Sequence, residues 1–147
     1  MDYRFKLEAL RQYRSFQEET RQKEMAEAQR LRDREAAILD GLSSMRDKTE
    51  QDLKAQQKGS TTGPSLAIYH NYLNKLASDI RTQKIKLVDA EKKLDEKRDA
   101  LLLAMQKRKT LDKLKEKSQK AYFENLNSEE EKFINEMAIN RFSAKQK

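Results

Sequence analysis

The sequence lacks cysteine and tryptophan and has one histidine and one proline among its 147 residues. Without thiols, and with His70 as the single imidazole, the chain offers neither a zinc-ligand set nor a thiol nucleophile. Gly59 and Gly63 are not followed by the Gly-Lys-Ser/Thr signature of a phosphate-binding loop. No apolar run reaches the length of a signal peptide or a transmembrane helix, so we expect no membrane insertion. The many carboxylates alternate with Lys and Arg, which is typical of solvent-facing helices. We therefore expect no enzyme, no metal and no cofactor.

One short segment, residues 59–65, interrupts the chain with two of its three glycines and its only proline. The long segments on both sides are rich in Glu, Lys, Arg, Gln, Ala and Leu, which are strong helix formers. We predict that Gly59 adopts a positive φ and ends one helix, and that Pro64 lies in the first turn of the next. The predicted organisation is a single coiled-coil domain over 1–147, with helix 1 at 3–57, a turn at 58–65, helix 2 at 66–125 and a C-terminal extension at 126–147.

The composition favours a coiled coil over a compact globule. Charged residues make up 39% of the chain and hydrophobic residues 36%, with a mean hydropathy of −1.08. A two-helix coiled coil needs only about two apolar residues in seven. High charge with low hydrophobicity also marks disordered chains. The heptad periodicity of the apolar residues favours the coiled coil over a disordered chain.

Apolar residues in both segments recur at alternating steps of three and four, which predicts a seam between two helices. The second segment contributes Leu73, Leu76, Ile80, Leu87, Ala90, Leu94, Leu101, Ala104 and Leu111, interrupted by Gln83, Lys97 and Arg108. The first contributes Ala28, Leu31, Glu35, Ile38, Leu42, Met45 and Thr49. Folding the chain at its break brings the two series together in antiparallel register, with 28 opposite 94 and 49 opposite 73. The sequence thus predicts an all-α fold, a long two-helix antiparallel coiled-coil hairpin with a C-terminal helical overhang.

Near the chain ends the seam becomes ambiguous. Its continuation falls on four polar residues, Arg14, Gln17, Arg21 and Glu24. A competing apolar stripe runs through Leu7, Leu10, Tyr13 and Phe16. We expect weaker packing there, since a straight helix drifts by about 20° per heptad.

The predicted register leaves residues 120–147 without a partner inside the chain. Five apolar residues there recur on one helical face: Phe133, Ile134, Met137, Ala138 and Phe142. The capping-box spacing of residues 128–131 favours a short separate helix from 129, and one continuous helix is equally compatible. An unpaired apolar stripe predicts a partner surface. The alternatives are a tail that folds back on helix 1 or stays disordered.

The net charge of +7 lies mainly on the second helix, where residues 66–125 carry 15 basic and 9 acidic side chains. A basic stripe can track nucleic acid. The aromatic residues do not interleave with it, however, so base stacking is not favoured and we expect no nucleic-acid partner. A solvated coiled-coil face or contact with an acidic protein groove is the preferred interpretation.

Several segments carry a recognisable pattern: residues 3–14 at the start, 69–76 after the break, and 111–117, 122, 129–131 and 138–142 toward the end. In this order and spacing they resemble the family of the flagellar export protein FliJ. The resemblance covers essentially the whole chain. It implies a cytoplasmic protein, peripheral at the cytoplasmic face of the flagellar type III export apparatus. It also implies a central stalk in the hexameric ring of the ATPase FliI, contact with the export gate protein FlhA, and handling of export chaperones. A stalk or adaptor of a non-flagellar secretion system, or an unrelated tethering hairpin, remains the alternative.

The resemblance also implies two sets of contact residues. The ATPase-binding set is Leu7, Leu10, Tyr13, Arg14, Phe133, Ile134, Met137 and Phe142. The export-gate set is Tyr69, Tyr72 and Leu76, with Asp79 and Gln83 departing from the family pattern nearby. Leu7 and Leu10 are equally compatible with pairing against Leu114 and Leu111. Leu42 and Leu76 are also seam positions, which predicts a core role for both, whereas Tyr72 lies one residue off the seam.

Overall fold

A computed structural model describes residues 2–59 and 62–146 and contains two helices, α1 over Glu8–Gln57 and α2 over Gly63–Lys145. The helices run antiparallel, because contacts join the start of α1 to the later part of α2, as in the Arg11–Asp112 pair. The described residues form no β-strand. The predicted all-α antiparallel coiled-coil hairpin with a C-terminal helical overhang is therefore confirmed.

The helix ends differ from the predicted ones by a few residues. α1 begins at Glu8, whose amide donates to the carbonyl of Phe5 at 3.2 Å, so the residues before it form a turn. α2 begins at Gly63 and has Pro64 in its first turn, where a missing amide hydrogen removes no helical bond. The positive φ predicted for Gly59 is wrong, because no described glycine has one. Instead, the Gly59 amide donates to the Gln56 carbonyl at 3.2 Å and closes the end of α1. Residues 60 and 61 of the predicted turn lie outside the described residues.

α2 continues without interruption through residues 126–145. The separate short helix considered from residue 129 is therefore not formed, and the continuous alternative is correct. No glycine or proline lies between Pro64 and the end of the chain. The capping-box spacing at 128–131 has no breaker before it, so the helical hydrogen bonds simply continue. The extension predicted from the register is the last part of α2.

The chain forms two compact units. Unit 1 comprises Met1–Glu19 and Leu102–Lys147, and unit 2 comprises Thr20–Leu101. In each unit a part of α1 packs against a part of α2. The single domain expected from the sequence stays a prediction.

The core of unit 2 follows the predicted α2 seam closely. Leu76, Ile80, Ala90 and Leu94 are all buried, and Gln83 is buried among them. Gln83 donates from Nε2 to the backbone carbonyl of Glu35 at 3.0 Å and also to the Glu35 carboxylate. A polar side chain at this depth needs such partners, since an unpaired buried amide is costly.

The α1 side of unit 2 departs from the prediction at every second seam position. Leu31, Ile38 and Met45 are 38%, 44% and 48% exposed. The half-buried residues are instead their C-terminal neighbours, Arg32, Leu39 and Arg46. Arginine can lie at such a position because its methylene stem covers apolar surface while the guanidinium reaches outward. Arg32 does so and meets Glu91 across the helix pair at 3.7 Å.

Candidate functional site

In unit 1, the apolar residues predicted to bind the ATPase at the start of α1 and just before it are exposed. Leu7, Leu10 and Tyr13 are 43%, 38% and 53% exposed. Arg14 is half-buried, donates to the side-chain oxygen of Gln17 at 3.0 Å, and lies 5.9 Å from the centre of the Tyr13 ring. These contacts orient Arg14 along α1, and they leave the apolar side chains open to a partner.

The predicted ATPase-binding residues of the extension also face solvent. Phe133, Ile134, Met137 and Phe142 are exposed, and the last three line a shallow depression with neighbouring residues of the same helix turns. No described residue of α1 lies against this part of α2, because Tyr3 is already opposite Tyr122. The extension is therefore an uncovered helix in the described chain.

In unit 1 the contact with α2 extends to the N-terminal segment, residues 2–7, which precedes α1, and it ends there. The rings of Tyr3 and Tyr122 lie 5.5 Å apart, and Phe123 packs edge-on against Tyr122 at 5.4 Å. The Tyr3 hydroxyl donates to the carbonyl of Lys115 at 3.3 Å. Phe133 lies eleven residues beyond Tyr122, which is about 16 Å along a helix. The two halves of the predicted site are thus at separate positions and do not form one patch.

A cleft between the N-terminal segment and α2 was not predicted from the sequence. It encloses about 690 Å³. Its walls are Tyr3, Arg4, Phe5, Lys6, Leu7, Leu114, Ser118, Ala121, Tyr122 and Asn125. Leu7 and Leu114 share this cleft and both stay exposed. The only sequence signal for it was the register, in which the pairing of the two helices ends near residue 120.

In unit 1 a network of charged side chains joins the two helices beside the buried seam residues Ala104 and Leu111. Arg11 Nε lies 2.8 Å from Asp112 Oδ1, and Arg108 Nη1 lies 2.6 Å from Asp112 Oδ2. Arg108 also bonds Glu18, and Lys115 Nζ lies 3.1 Å from Glu8. Polar residues therefore form the helix contact where the sequence left the seam ambiguous, and the competing stripe through Leu7, Leu10, Tyr13 and Phe16 is exposed.

The network lowers the pKa values of two of its carboxyl groups. Burial acts to raise the pKa of Asp112, but hydrogen bonds from Arg11 and Arg108 outweigh burial, so the net shift is below the ordinary 3.8. The pKa of Glu8 is lowered from 4.5 chiefly by its hydrogen bond with Lys115. The ionised forms of both carboxyl groups therefore stabilise the folded state.

We expect the protein to lose stability in acid through this network. A carboxyl group whose pKa is lowered by folding contributes fully above its ordinary pKa, here 3.8 for Asp112 and 4.5 for Glu8, and the contribution is lost as the pH falls through the lowered values. The urea midpoint should therefore fall between pH 6 and pH 3. Asp112→Asn should be less stable at pH 6 and less dependent on pH. Urea titrations followed by circular dichroism at both pH values measure this.

Asp79→Asn is the matched control, because Asp79 is an exposed aspartate on the same helix. It should keep the pH response of the unmodified protein. Equal pH responses of the two variants would show that Asp112 contributes nothing to acid sensitivity.

In unit 2, the three predicted gate-binding residues have different environments. Tyr69 is half-buried, Tyr72 is 36% exposed and Leu76 is 3% exposed. The predicted core role of Leu76 is confirmed by its burial, and Leu42 is half-buried on the facing helix. Of the three, Tyr72 is the side chain that a partner can reach while the helices stay packed.

The described part of the chain offers no cluster of three or more His, Asp or Glu side chains arranged to hold a metal ion. His70 is exposed. Within residues 2–59 and 62–146, no helix combines the length and apolarity needed to cross a membrane.

Comparison with known proteins agrees with this architecture. The family described as Flagellar FliJ protein matches residues 3–147. Among solved structures, protein CT670 of Chlamydia trachomatis, described as a YscO homologue, superposes with a TM-score of 0.70 over 99% of both chains. Its sequence is 22% identical, so the likeness concerns the fold. No curated protein sequence matches the chain.

Proposed function

The chain belongs to the flagellar FliJ protein family, whose members are components of flagellar and type III export, and we propose that it is the non-enzymatic central stalk of a FliI-type ATPase hexamer. It would work in the cytoplasm, at the cytoplasmic face of the export apparatus. The observation that carries this proposal is the uncovered stripe of Phe133, Ile134, Met137 and Phe142 on the last turns of α2.

Burial of this stripe supplies the driving force for ring binding. Each large apolar side chain that passes from water into a protein contact contributes about 1.5–3 kcal/mol when fully covered. Leu7, Leu10 and Tyr13 add a second exposed apolar surface in the same unit. A ring of identical subunits needs an unsymmetrical axle to distinguish one subunit from the next, and two unequal helices supply one.

We further propose that Tyr72, with Tyr69 beside it, contacts an FlhA-type export gate. Tyrosine suits such a contact, because it has a large apolar ring and a polar tip. Leu76 would support this surface from the seam beneath, since it is buried. Handling of export chaperones is part of the same proposed role. The family match favours the flagellar system over a non-flagellar one.

The ATPase rate of the cognate FliI, measured with increasing amounts of this protein, tests the stalk role. The full chain should stimulate turnover or ring assembly, and a chain ending at Asn125 should not. Ile134→Ser should raise the half-maximal concentration by about 5–10-fold, since it removes one apolar contact. Ile139→Ser is the matched control, because Ile134 is 63% and Ile139 62% exposed, on different faces of the same helix.

Two outcomes would contradict the proposal. The stalk role fails if the full chain changes neither turnover nor assembly of an active FliI. The assignment of the contact to the stripe fails if Ile134→Ser and Ile139→Ser behave alike. Circular dichroism of each variant shows whether its helices are retained.

A further inference from the structure

Basic and acidic side chains are distributed differently along the two parts of α2. In unit 2, residues 66–101 carry eight basic and six acidic side chains, so the two signs are mixed. In unit 1, residues 107–120 carry seven basic and two acidic side chains. One of these two, Asp112, is already bonded to Arg11 and Arg108 of the ion network. The positive charge of the chain is therefore concentrated on about 20 Å of α2.

Four of these lysines form a row on one face of α2, which we call the lysine row. Their spacings of four, four and three residues are those of neighbours on a helix surface, and the members are Lys109, Lys113, Lys117 and Lys120. All four are exposed, and within the described chain neither they nor Glu116 beside them form an ion pair. Glu124, four residues after Lys120, ends the row. Like charges four residues apart destabilise a helix, so the row favours a negatively charged partner.

The lysine row borders the cleft of unit 1. Lys117 follows Leu114 by three residues and precedes Ala121 by four, so it is a neighbour of both cleft residues on the helix surface. On the other wall, the N-terminal segment adds the exposed side chains of Arg4 and Lys6. The cleft itself is lined by three aromatic rings and three aliphatic side chains, and no carboxylate lines it. Cations therefore stand on both walls of an apolar cleft.

We propose that the lysine row and the cleft together bind the surface of a membrane that contains anionic lipids. The lysines of the row, with Arg4 and Lys6, contact the negatively charged headgroups. The apolar walls of the cleft cover hydrocarbon of a lipid at that surface. Clusters of about four to eight basic residues are typical of such contacts, and this surface has six.

Two features of this surface favour lipid over other anionic partners. An anionic lipid joins negative charge to hydrocarbon, whereas a nucleic-acid duplex presents phosphates and no hydrocarbon for an apolar cleft to cover. The row also contains lysine and no arginine. Lysine is a flexible point charge, and arginine suits the fixed, bidentate pairs of an acidic protein surface. A fluid layer of headgroups needs no fixed pairs.

Lipid binding leaves part of the apolar stripe of the extension open. Phe133 and Met137 follow Lys117 by 16 and 20 residues, so a rotation of about 100° per residue places both about 160° around α2 from it. The proposal concerns the free chain, before it enters any ring, and it is measured without an ATPase. Its failure would leave the stalk role untouched, and a failure of the stalk role would leave lipid binding untouched.

Co-sedimentation of the full chain with vesicles tests the proposal. Vesicles of phosphatidylcholine with about one-third phosphatidylglycerol should bind the chain, and vesicles of phosphatidylcholine alone should not. Lys113→Gln combined with Lys117→Gln should weaken binding by roughly 25-fold at low salt, about 5-fold for each lysine. Lys84→Gln combined with Lys92→Gln is the matched control, because it removes the same charge from exposed positions of α2 in unit 2. It should change binding by less than about 3-fold.

Leu114→Ser tests the apolar half of the surface. Leu114 is 45% exposed in the free chain, and its loss should weaken vesicle binding by about 5–10-fold without changing binding to a DNA duplex. Ile85→Ser, at a 72% exposed position of unit 2, is the control and should bind vesicles like the unmodified chain. Circular dichroism shows whether each variant keeps its helices.

Four results would overturn the proposal. The chain could bind the two kinds of vesicle alike, or neither of them. The two glutamine pairs could behave alike, which would reduce the effect to total charge. Leu114→Ser could bind vesicles as the unmodified chain does, which would remove the cleft from the surface. A DNA duplex could bind as tightly as the anionic vesicles at equal phosphate concentration, which would make the row a general polyanion site.

Discussion

Replacement of Ile80 by alanine is expected to lower the free energy of unfolding by about 2–3 kcal/mol. Ile80 is 4% exposed and lies in the α2 seam of unit 2 beside the buried Leu76. The loss combines the transfer free energy of the removed carbons with the cavity they leave. Because two helices form this core without a further layer, water can reach the cavity, which keeps the loss below the upper end of the known range. Urea unfolding followed by circular dichroism measures it.

The same substitution at Ile85 provides the control. Ile85 belongs to the same helix and the same unit, but it is 72% exposed. Ile85→Ala removes an equal number of carbon atoms without opening a cavity, and alanine is the better helix former. The change should stay within about 0.5 kcal/mol of zero. Similar losses for both variants would contradict the seam described for unit 2.

The second large effect is expected at the ion pair of Arg108 and Glu18 in unit 1. The side chains are 27% and 11% exposed, so the carboxylate is the more desolvated partner. Arg108→Leu leaves that carboxylate without its guanidinium and should cost about 2 kcal/mol, less than for a fully buried pair because Arg108 is partly solvated. Leucine and arginine have similar helix propensities, so propensity does not explain a loss.

The double variant Arg108→Leu with Glu18→Leu should recover most of this stability. It replaces two charges by an apolar contact of similar size, and such exchanges are often neutral or stabilising. Asp112 keeps its bond from Arg11 in both variants. The urea unfolding midpoints of the single and double variants measure their relative stabilities. A double variant less stable than Arg108→Leu would show that the pair contributes more than apolar packing does.

The sequence predicted the α2 side of the fold well, because most seam positions of α2 are occupied by apolar residues. Leu76, Ile80, Ala90 and Leu94 follow heptad spacing without competing neighbours and are all buried. Even the polar interruptions were placed correctly, since Gln83 and Arg108 lie at the helix contact. A clear 3,4 spacing constrains a helix face strongly.

The α1 side was harder to predict because two stripes compete on it. Ile38 and Leu39 are adjacent and both apolar, and the heptad spacing alone favoured the first. Leu39 is the more buried of the two, on the same face as Arg32 and Arg46. The methylene groups of these arginines can cover apolar surface while their guanidinium groups reach outward to carboxylates. Hydrophobicity counts assign arginine to the surface, so they miss this arrangement. The ion network of unit 1 was missed for the same reason.

The candidate contact residues show a similar division. The unpaired extension followed from the register, and the structure leaves Phe133 and Phe142 exposed. The exposure of Tyr72 and the burial of Leu76 followed from their positions relative to the seam. The cleft beside Tyr3 could not be predicted, since it depends on how residues before α1 cross α2. Heptad spacing says nothing about a segment that is not helical.

The antiparallel pairing of the chain's beginning with its later part also sets an order during synthesis. Arg11 pairs with Asp112, 101 residues further on, and Glu8 with Lys115, 107 residues further on. At about 5–20 residues per second, the ribosome needs about 5–20 s to make the partner after the first residues have emerged. During that interval the first turns of α1 have no α2 to pack on. The start of the chain is thus the last part to be paired, and a chaperone or partner that binds nascent helices would meet it first.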